Sequence, residues 1–364
     1  MNFSDQFPIL DHYTYLNTAN SGILSKSIAD WRSAHDREFM AGGSLFRLNQ
    51  ARILEEVKHN LSRFFHAKPE NTFLVPNFSF GFNTFLEGLS GTQRFLLLQE
   101  DYPSINYPVQ SRGFACDYAA IDENLEDNIL EKIRLFRPTV FALSIVQYSS
   151  GIRIDFEFLK KIKGIFPELL IVGDGTQFCG TSNFDFEASG LDVLISSGYK
   201  WMLGGYGNGF LCMKDEVTKL LYTENQKSKG PSEAFLQHKG LLSFCFEPGH
   251  LDTLAFGSLN QGVLLLEELG INFIESQIQM LSERAKAAFA ERGLLSQSVL
   301  QRPGHTGIFN LSIGEKTYQK LQEANIICSA RGKGIRVSFH FYNTVAELER
   351  LLEVIDNCAQ QEAI

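Results

Sequence analysis

The stretch Asp192–Met213, DVLISSGYKWMLGGYGNGFLCM, decides the fold. Its opening run, Val193-Leu194-Ile195, is continuous rather than alternating, which suits a strand buried on both faces. A second apolar run, GFLCM at 209–213, follows. Between them lie Lys200 and the glycine-rich segment GGYGNG. These glycines precede a strand-like run and not a helix, so they predict a hairpin and argue against a dinucleotide-binding loop. A lysine therefore stands just beyond the end of a buried strand.

Working outward, similar short apolar runs recur: TFLVP at 72–76, RFLLLQ at 94–99, TVFALSIV at 139–146 and LLIVGD at 169–174. Helix-like patterns separate several of them, including SFGFNTFLEGLSG, NLEDNILEKIRLF and DFEFLKKIKGIFP. Strands alternating with helices predict an α/β fold with a mostly parallel sheet sandwiched by helices. The pattern changes after about residue 255. Two long amphipathic helical stretches lead into TGIFNLSI, a helix around EKTYQKLQEAN, GIRVSFHF and a closing helix from Thr344, with Glu347 placed for a capping box. The expected organisation is an N-terminal segment (1–20) near the active site, a large α/β domain (21–255) and a smaller α+β domain (256–364).

At 364 residues the chain is long for a single core, which supports two domains. A net charge of −9 with no Lys/Arg-rich block argues against nucleic acid or an anionic membrane as partner. The start has no basic segment followed by an apolar stretch, so no signal peptide is expected. No run approaches the roughly 20 apolar residues that span a bilayer. The six cysteines are scattered and form no C-x-x-C pair, so neither a disulfide framework nor a metal site is expected, and a cytoplasmic location fits.

In open parallel sheets, ligands bind at the carboxyl ends of the strands. Asp174 ends LLIVGD, Lys200 follows DVLIS, and TFLVP opens onto Asn77-Phe78-Ser79 at the start of a helix. A helix N-terminus with a hydroxyl suits a phosphate. Lysine, buried carboxylate, phosphate cradle and aromatics are what pyridoxal phosphate requires. The amine forms a Schiff base with the aldehyde, and the carboxylate keeps the ring nitrogen protonated so that the ring accepts electrons.

In order and spacing the motifs GDGTQ, SSGYKW, GYGNGF and IRVSFHFYNT resemble those of the class V aminotransferase family, pyridoxal-phosphate enzymes of fold type I that include cysteine desulfurases and kynureninases. The resemblance implies Lys200 as the Schiff-base lysine and proton carrier, Asp174 as partner of the pyridinium and Gln177 as neighbour of the ring hydroxyl. It places Phe78, Ser79, Ser197 and Tyr199 at the phosphate, and Tyr102 stacked on the ring. Gln147 or Tyr148 falls beside the ring oxygen, and the motif leaves that choice open. Arg336 matches the arginine that pairs with a substrate α-carboxylate, Asn17 lies in a segment that covers the substrate, and His250 aligns with a position reaching the neighbouring subunit's phosphate. A homodimer with active sites at the subunit interface is implied in the same way.

The resemblance implies action on a small amino acid, with transamination as the first expectation. A lyase, desulfurase, epimerase or kynureninase-like outcome is the alternative on the same scaffold, and a non-catalytic nucleotide-binding protein a remote one. Desulfurases need a reactive cysteine on a loop before the substrate arginine. Here that region is ICSARGKGIR, where Cys328 comes early, looks like part of a strand and is followed by a short loop.

Overall fold

The apolar runs become the strands of one seven-stranded sheet, and alternate residues of each strand feed opposite faces of it. The structure, a computed structural model, describes residues 3–362 other than 235 and 238. Strand β1 (Thr14–Tyr15) lies apart from this sheet. The sheet comprises β2 (Thr72–Val75), β3 (Arg94–Leu98), β4 (Ala115–Ala119), β5 (Val140–Ser144), β6 (Leu170–Asp174), β7 (Val193–Ser197) and β8 (Gly209–Met213). The spatial order is β2-β8-β7-β6-β5-β3-β4, with β8 antiparallel to both neighbours and the other pairings parallel. In β3, Phe95 and Leu97 join one apolar cluster while Leu96 and Leu98 join the other. Period-two alternation thus buries both faces under helices.

The expected helices form at Phe78–Gly88, Leu125–Phe136 and Phe156–Ile165. Strand β4 has no counterpart among the apolar runs. It is an edge strand, ACDYA, in which Ala115 is exposed and the next three residues are half-buried, so it needs no continuous apolar stretch. The turn expected at GGYGNG joins β7 to β8 as an antiparallel pair, with Ser197 opposite Gly209. The connection is longer than a tight hairpin, and Lys200 sits within it.

A second, three-stranded antiparallel sheet is ordered β11-β12-β9, from β9 (Ile308–Leu311), β11 (Ser329–Arg331) and β12 (Gly334–Ser338). Strand β10 (Ile326–Ile327) pairs in parallel with β1, and Asn17 bridges to Ser338. The N-terminal segment is thereby stitched to the C-terminal unit. At the last helix, Thr344 Oγ1 accepts from the Glu347 N–H at 3.3 Å while Glu347 Oε2 accepts from the Thr344 N–H at 2.7 Å, the reciprocal box read from the sequence. The division drawn at 255/256 falls inside the helix Thr253–Leu269, which packs on the helices Lys26–Gly42 and Gln50–Phe64. Its buried face, including Phe256, Leu259 and Val263, is continuous with the core of the large unit. The pattern change read at 255 reflects a longer helix, not the end of that core.

Beyond Asn17 the N-terminal segment presses on the lysine loop. The Gly22 N–H donates to the Tyr199 carbonyl at 2.8 Å, and a Cβ at Gly22 would stand 2.1 Å from the Lys200 carbonyl oxygen. Since the obstacle is backbone, no rotamer change relieves it. Gly22→Ala is expected to destabilise the protein by about 1–3 kcal/mol, the usual range for overpacking, as read from the midpoint of urea unfolding. A midpoint equal to the parent's would mean that the two segments separate freely.

Candidate active site

The carboxyl ends of β2, β3, β5, β6 and β7 open on one edge of the sheet, as their shared direction demands. A cavity of 310 Å³ lies there. Phe78 and Ser79 reach it after β2, Tyr102 after β3, Tyr148 after β5, Asp174 at the end of β6, and Ser197, Tyr199 and Lys200 at and after β7. An adjoining cavity of 400 Å³ shares Tyr102, Tyr148, Tyr199 and Lys200 and adds Asn20, Arg331 and Arg336.

Lys200 is 6% exposed, with Nζ 5.8 Å from the centre of the Tyr102 ring and 5.5 Å from that of Tyr199. Burial, followed by the Arg336 cation, pulls its ammonium well below the ordinary lysine range, and Asp174 partly offsets this. Burial likewise pushes the Asp174 carboxyl up, against hydrogen bonds from Thr176 and the charge of Lys200. The Thr176 N–H donates to Asp174 Oδ1 at 2.8 Å, and Thr176 Oγ1 accepts from the Ser197 N–H at 3.1 Å. Thr176 therefore fixes the acid of β6 to the end of β7. Burial raises the Tyr199 hydroxyl to about 12, so it remains a donor.

The phosphate end is built from a helix start. Asn77 Oδ1 caps the helix Phe78–Gly88 by accepting from the Phe80 N–H at 2.9 Å. Ser197 Oγ accepts from the Phe78 N–H at 2.9 Å, which leaves its own proton to donate. Hydroxyls of Ser79 and Ser197 thus stand together at a helix N-terminus.

Three segments hold the lysine loop. Gln177 Oε1 accepts from Trp201 Nε1 at 2.8 Å, while Gln177 Nε2 donates to the Ala19 carbonyl at 2.8 Å. Ser338 Oγ accepts from the Ala19 N–H at 3.0 Å. His340 Nδ1 accepts from the Phe341 N–H at 2.8 Å, so Nε2 carries the proton and donates to the Trp201 carbonyl at 3.1 Å. Burial lowers the His340 pKa to about 3, which keeps this tautomer neutral. Leu203, just beyond, takes a left-handed φ of +56° that a bulky side chain adopts only under constraint.

Arg336, on β12, is 2% exposed and lowered to about 10, chiefly by burial and then by Arg331. Its Nη1 donates to the Tyr148 carbonyl at 2.6 Å, while Nε has no hydrogen-bond partner among the described residues. A buried guanidinium that borders a cavity and has no carboxylate partner among the described residues is a place for an anion.

Other expected residues lie elsewhere. Gln147 is buried, donates weakly to the Ser144 carbonyl at 3.4 Å and touches Asp101; Tyr148, and not Gln147, lines the cavity. The backbone hydrogen bonds of Gln147 to Ile152 and Gly151 turn its side chain inward. Asn17 Oδ1 accepts from Ser329 Oγ at 2.7 Å and lines neither cavity; Asn20, three residues on, lines the outer one. His250 pairs with Arg47 at 3.0 Å on the surface, away from the cavity of its own chain. Sequence reading passed over Asp101, Thr176, Trp201, His340 and Arg331. Of these, Asp101 is 4% exposed and accepts from the N–H groups of Tyr102 and Ser144 at 2.7 and 2.9 Å, so it sets the position of the Tyr102 ring. Its signal, one acid within EDYPS at 100–104, is too short to stand out.

Fold and site together define a pyridoxal-phosphate enzyme of fold type I. The chain belongs to the aminotransferase class-V family, whose model matches residues 30–351. It is similar to the uncharacterized aminotransferase YcbU of Bacillus subtilis (strain 168), 22% identical over 359 residues, with 96% of this chain and 95% of the relative covered. Its fold matches the apo cysteine desulfurase from Thermococcus onnurineus NA1 with a TM-score of 0.85 at 18% identity, covering 98% and 97% of the two chains. It also matches the complex of the cystine C-S lyase C-DES with its product cysteine persulfide, with a TM-score of 0.82 at 21% identity, covering 96% and 98%.

The residues present fit the cofactor: a buried acid, a lysine of depressed basicity and a hydroxyl-lined helix N-terminus share one cavity. The depressed ammonium makes a pH signature. Neutral amine is present at a lower pH than in free lysine, and removing the Arg336 cation takes away one lowering cause. The pH midpoint for capture of pyridoxal phosphate by the apoprotein, trapped with borohydride and weighed, is expected below the ordinary lysine range and higher in Arg336→Gln. A midpoint that stays put or falls in that variant would remove Arg336 from the electrostatics of Lys200.

Proposed function

We propose that this protein is an aminotransferase acting on a small amino acid with a free α-carboxylate. The observation that carries this reading is Lys200 Nζ held between the Tyr102 and Tyr199 rings, with Asp174 in the same cavity and Arg336 in the adjoining one. When bound, pyridoxal phosphate supplies an aldehyde that condenses with amines and a ring that takes up the electron pair left when a bond at Cα breaks.

The protein residues then do the following. Asp174 holds a proton on the ring nitrogen. Ser79, Ser197 and the helix N-terminus hold the phosphate, which fixes the ring against the sheet edge. Tyr102 covers one ring face. Arg336, at the adjoining cavity, would bind the α-carboxylate and so aim the Cα–H bond at Lys200. Lys200 Nζ, whose ammonium is destabilised to about 8 so that the free amine is reached at lower pH than in ordinary lysine, would take the Cα proton and return it one position further along. The amino group of the donor would pass to bound pyridoxal phosphate as a keto acid leaves with the oxygen of water, and from there to a second keto acid in the return half-reaction.

Transamination is preferred to desulfuration because the hairpin before Arg336 carries no thiol. Cys328 precedes it, buried, with its thiol raised to about 12 by burial, and a thiol of that kind is a poor nucleophile. A homodimer in the cytoplasm completes the reading. Its support is the exposed set Phe39, Met40, Leu45 and Leu48 beside Arg47 and His250, and sedimentation velocity is expected to give twice the chain mass.

The test of the chemistry is a single half-reaction. Loaded protein given an amino donor and no acceptor is expected to yield one keto acid per active site and the pyridoxamine form, without sulfide. Lys200→Ala is expected to slow this by about 10²- to 10⁴-fold, the usual contribution of a positioned acid–base group. Sulfide or persulfide without keto acid would replace transamination with C–S lysis.

A further inference from the structure

The outer cavity holds more positive charge than an α-carboxylate needs. Besides Lys200, whose ammonium is weakened, the described residues that line it include the permanent cations Arg331 and Arg336, and no carboxylate. In the β11–β12 hairpin, Ser329 stands opposite Arg336 and Arg331 opposite Gly334. Side chains two apart on a strand share a face, so Arg331, Ser329 and Arg336 point to the same side. Arg331 is the diagonal neighbour of Arg336, about 7–8 Å away in an antiparallel pair. Ile335 faces the other way, and Ala330, though it alternates with Arg331 along the strand, also borders the outer cavity.

Arg331 is turned across the mouth. Its Nη2 donates to Asn20 Oδ1 at 2.9 Å, on the N-terminal segment that forms the opposite lip. It has no ion pair among the described residues, and its charge lowers both Arg336 and Lys200. The hairpin turns through Gly332 at φ +56° with Lys333 beside it, which leaves Arg331 as the last side chain before the tip. Two guanidinium groups bordering one cavity repel each other unless anions sit between them.

We infer that Arg331 selects the substrate: an α-amino acid whose short side chain ends in an anion, with the α-carboxylate on Arg336 and the distal carboxylate, sulfinate or phosphate on Arg331. This rests on the amino-acid reading above and names its substrate class. The distal anion lies at the rim, so its contribution weakens with salt while that of buried Arg336 persists. Asn20 is the positioning residue for Arg331.

The inference is tested on the loaded protein, with Arg331→Gln and Arg331→Lys, in two measurements. In the first, kcat/KM is compared for aspartate, glutamate, cysteine sulfinate and O-phosphoserine against asparagine, glutamine, serine and alanine. The anionic-to-neutral ratio is expected to exceed one in the parent, to fall about 10- to 100-fold in Arg331→Gln, as for loss of a charge-assisted hydrogen bond, and to recover in part in Arg331→Lys. The best anion identifies carboxylate, sulfinate or phosphate as the natural terminus. In the second, calorimetry follows succinate and propionate; succinate is expected to bind more tightly, with the advantage lost in Arg331→Gln. A parent that prefers neutral amino acids, or a ratio and a succinate advantage untouched by Arg331→Gln, overturns the inference and leaves transamination standing. Succinate selectivity through Arg331 with no amino acid converted would instead uphold the anion site and overturn the aminotransferase reading.

Discussion

A lysine ammonium and an arginine guanidinium cannot both be buried beside one cavity without anions to compensate them. Much of this molecule follows from that constraint. Arg336 has no choice, because its guanidinium keeps its charge near neutral pH. Lys200 has one, and its ammonium is destabilised to about 8. Of the acids nearby, Asp174 offsets part of the effect on Lys200, and Asp101 accepts from two backbone N–H groups. A buried edge with a permanent guanidinium and a weakly basic amine suits the phosphate and aldehyde of the cofactor.

Holding that arrangement requires three distant parts of the chain. Strand β8 turns back against β7, so the loop carrying Lys200 is anchored at both ends by one ladder. The N-terminal segment presses on the loop through Gly22 and Gln177, and the small sheet grips it through His340. The circuit from Trp201 to Gln177, Ala19 and Ser338 ends on the strand that bears Arg336. Lysine and arginine are therefore placed relative to each other by hydrogen bonds between buried groups, which tolerate little slack.

Much of the fold is legible in the sequence because both-face burial leaves continuous apolar runs; β4 is not, because an edge strand needs only partial cover. The 255/256 division misplaces the helix Thr253–Leu269, since amphipathic periodicity says which face is buried but not against which unit. At the site, Asp174 and Lys200 are legible from their places at strand ends, and Arg336 from its motif. Asp101, Thr176, Trp201 and His340 act through tertiary hydrogen bonds that leave no local pattern. Tyr148 and Gln147 are adjacent in an irregular turn, where no period tells which one faces inward. The glycines of GGYGNG signal a turn but not its length.

The two-residue ladder between Thr14–Tyr15 and Ile326–Ile327, with the bridge from Asn17 to Ser338, has a consequence for biosynthesis. Residues near the start of the chain find their partners only when more than 300 later residues have left the ribosome. The central sheet, finished at Met213, can assemble earlier and offer the cofactor's acid and lysine. The lip over the site and Arg336 can come together only later, so in the order of synthesis the residues proposed for the cofactor precede the arginine proposed for the substrate.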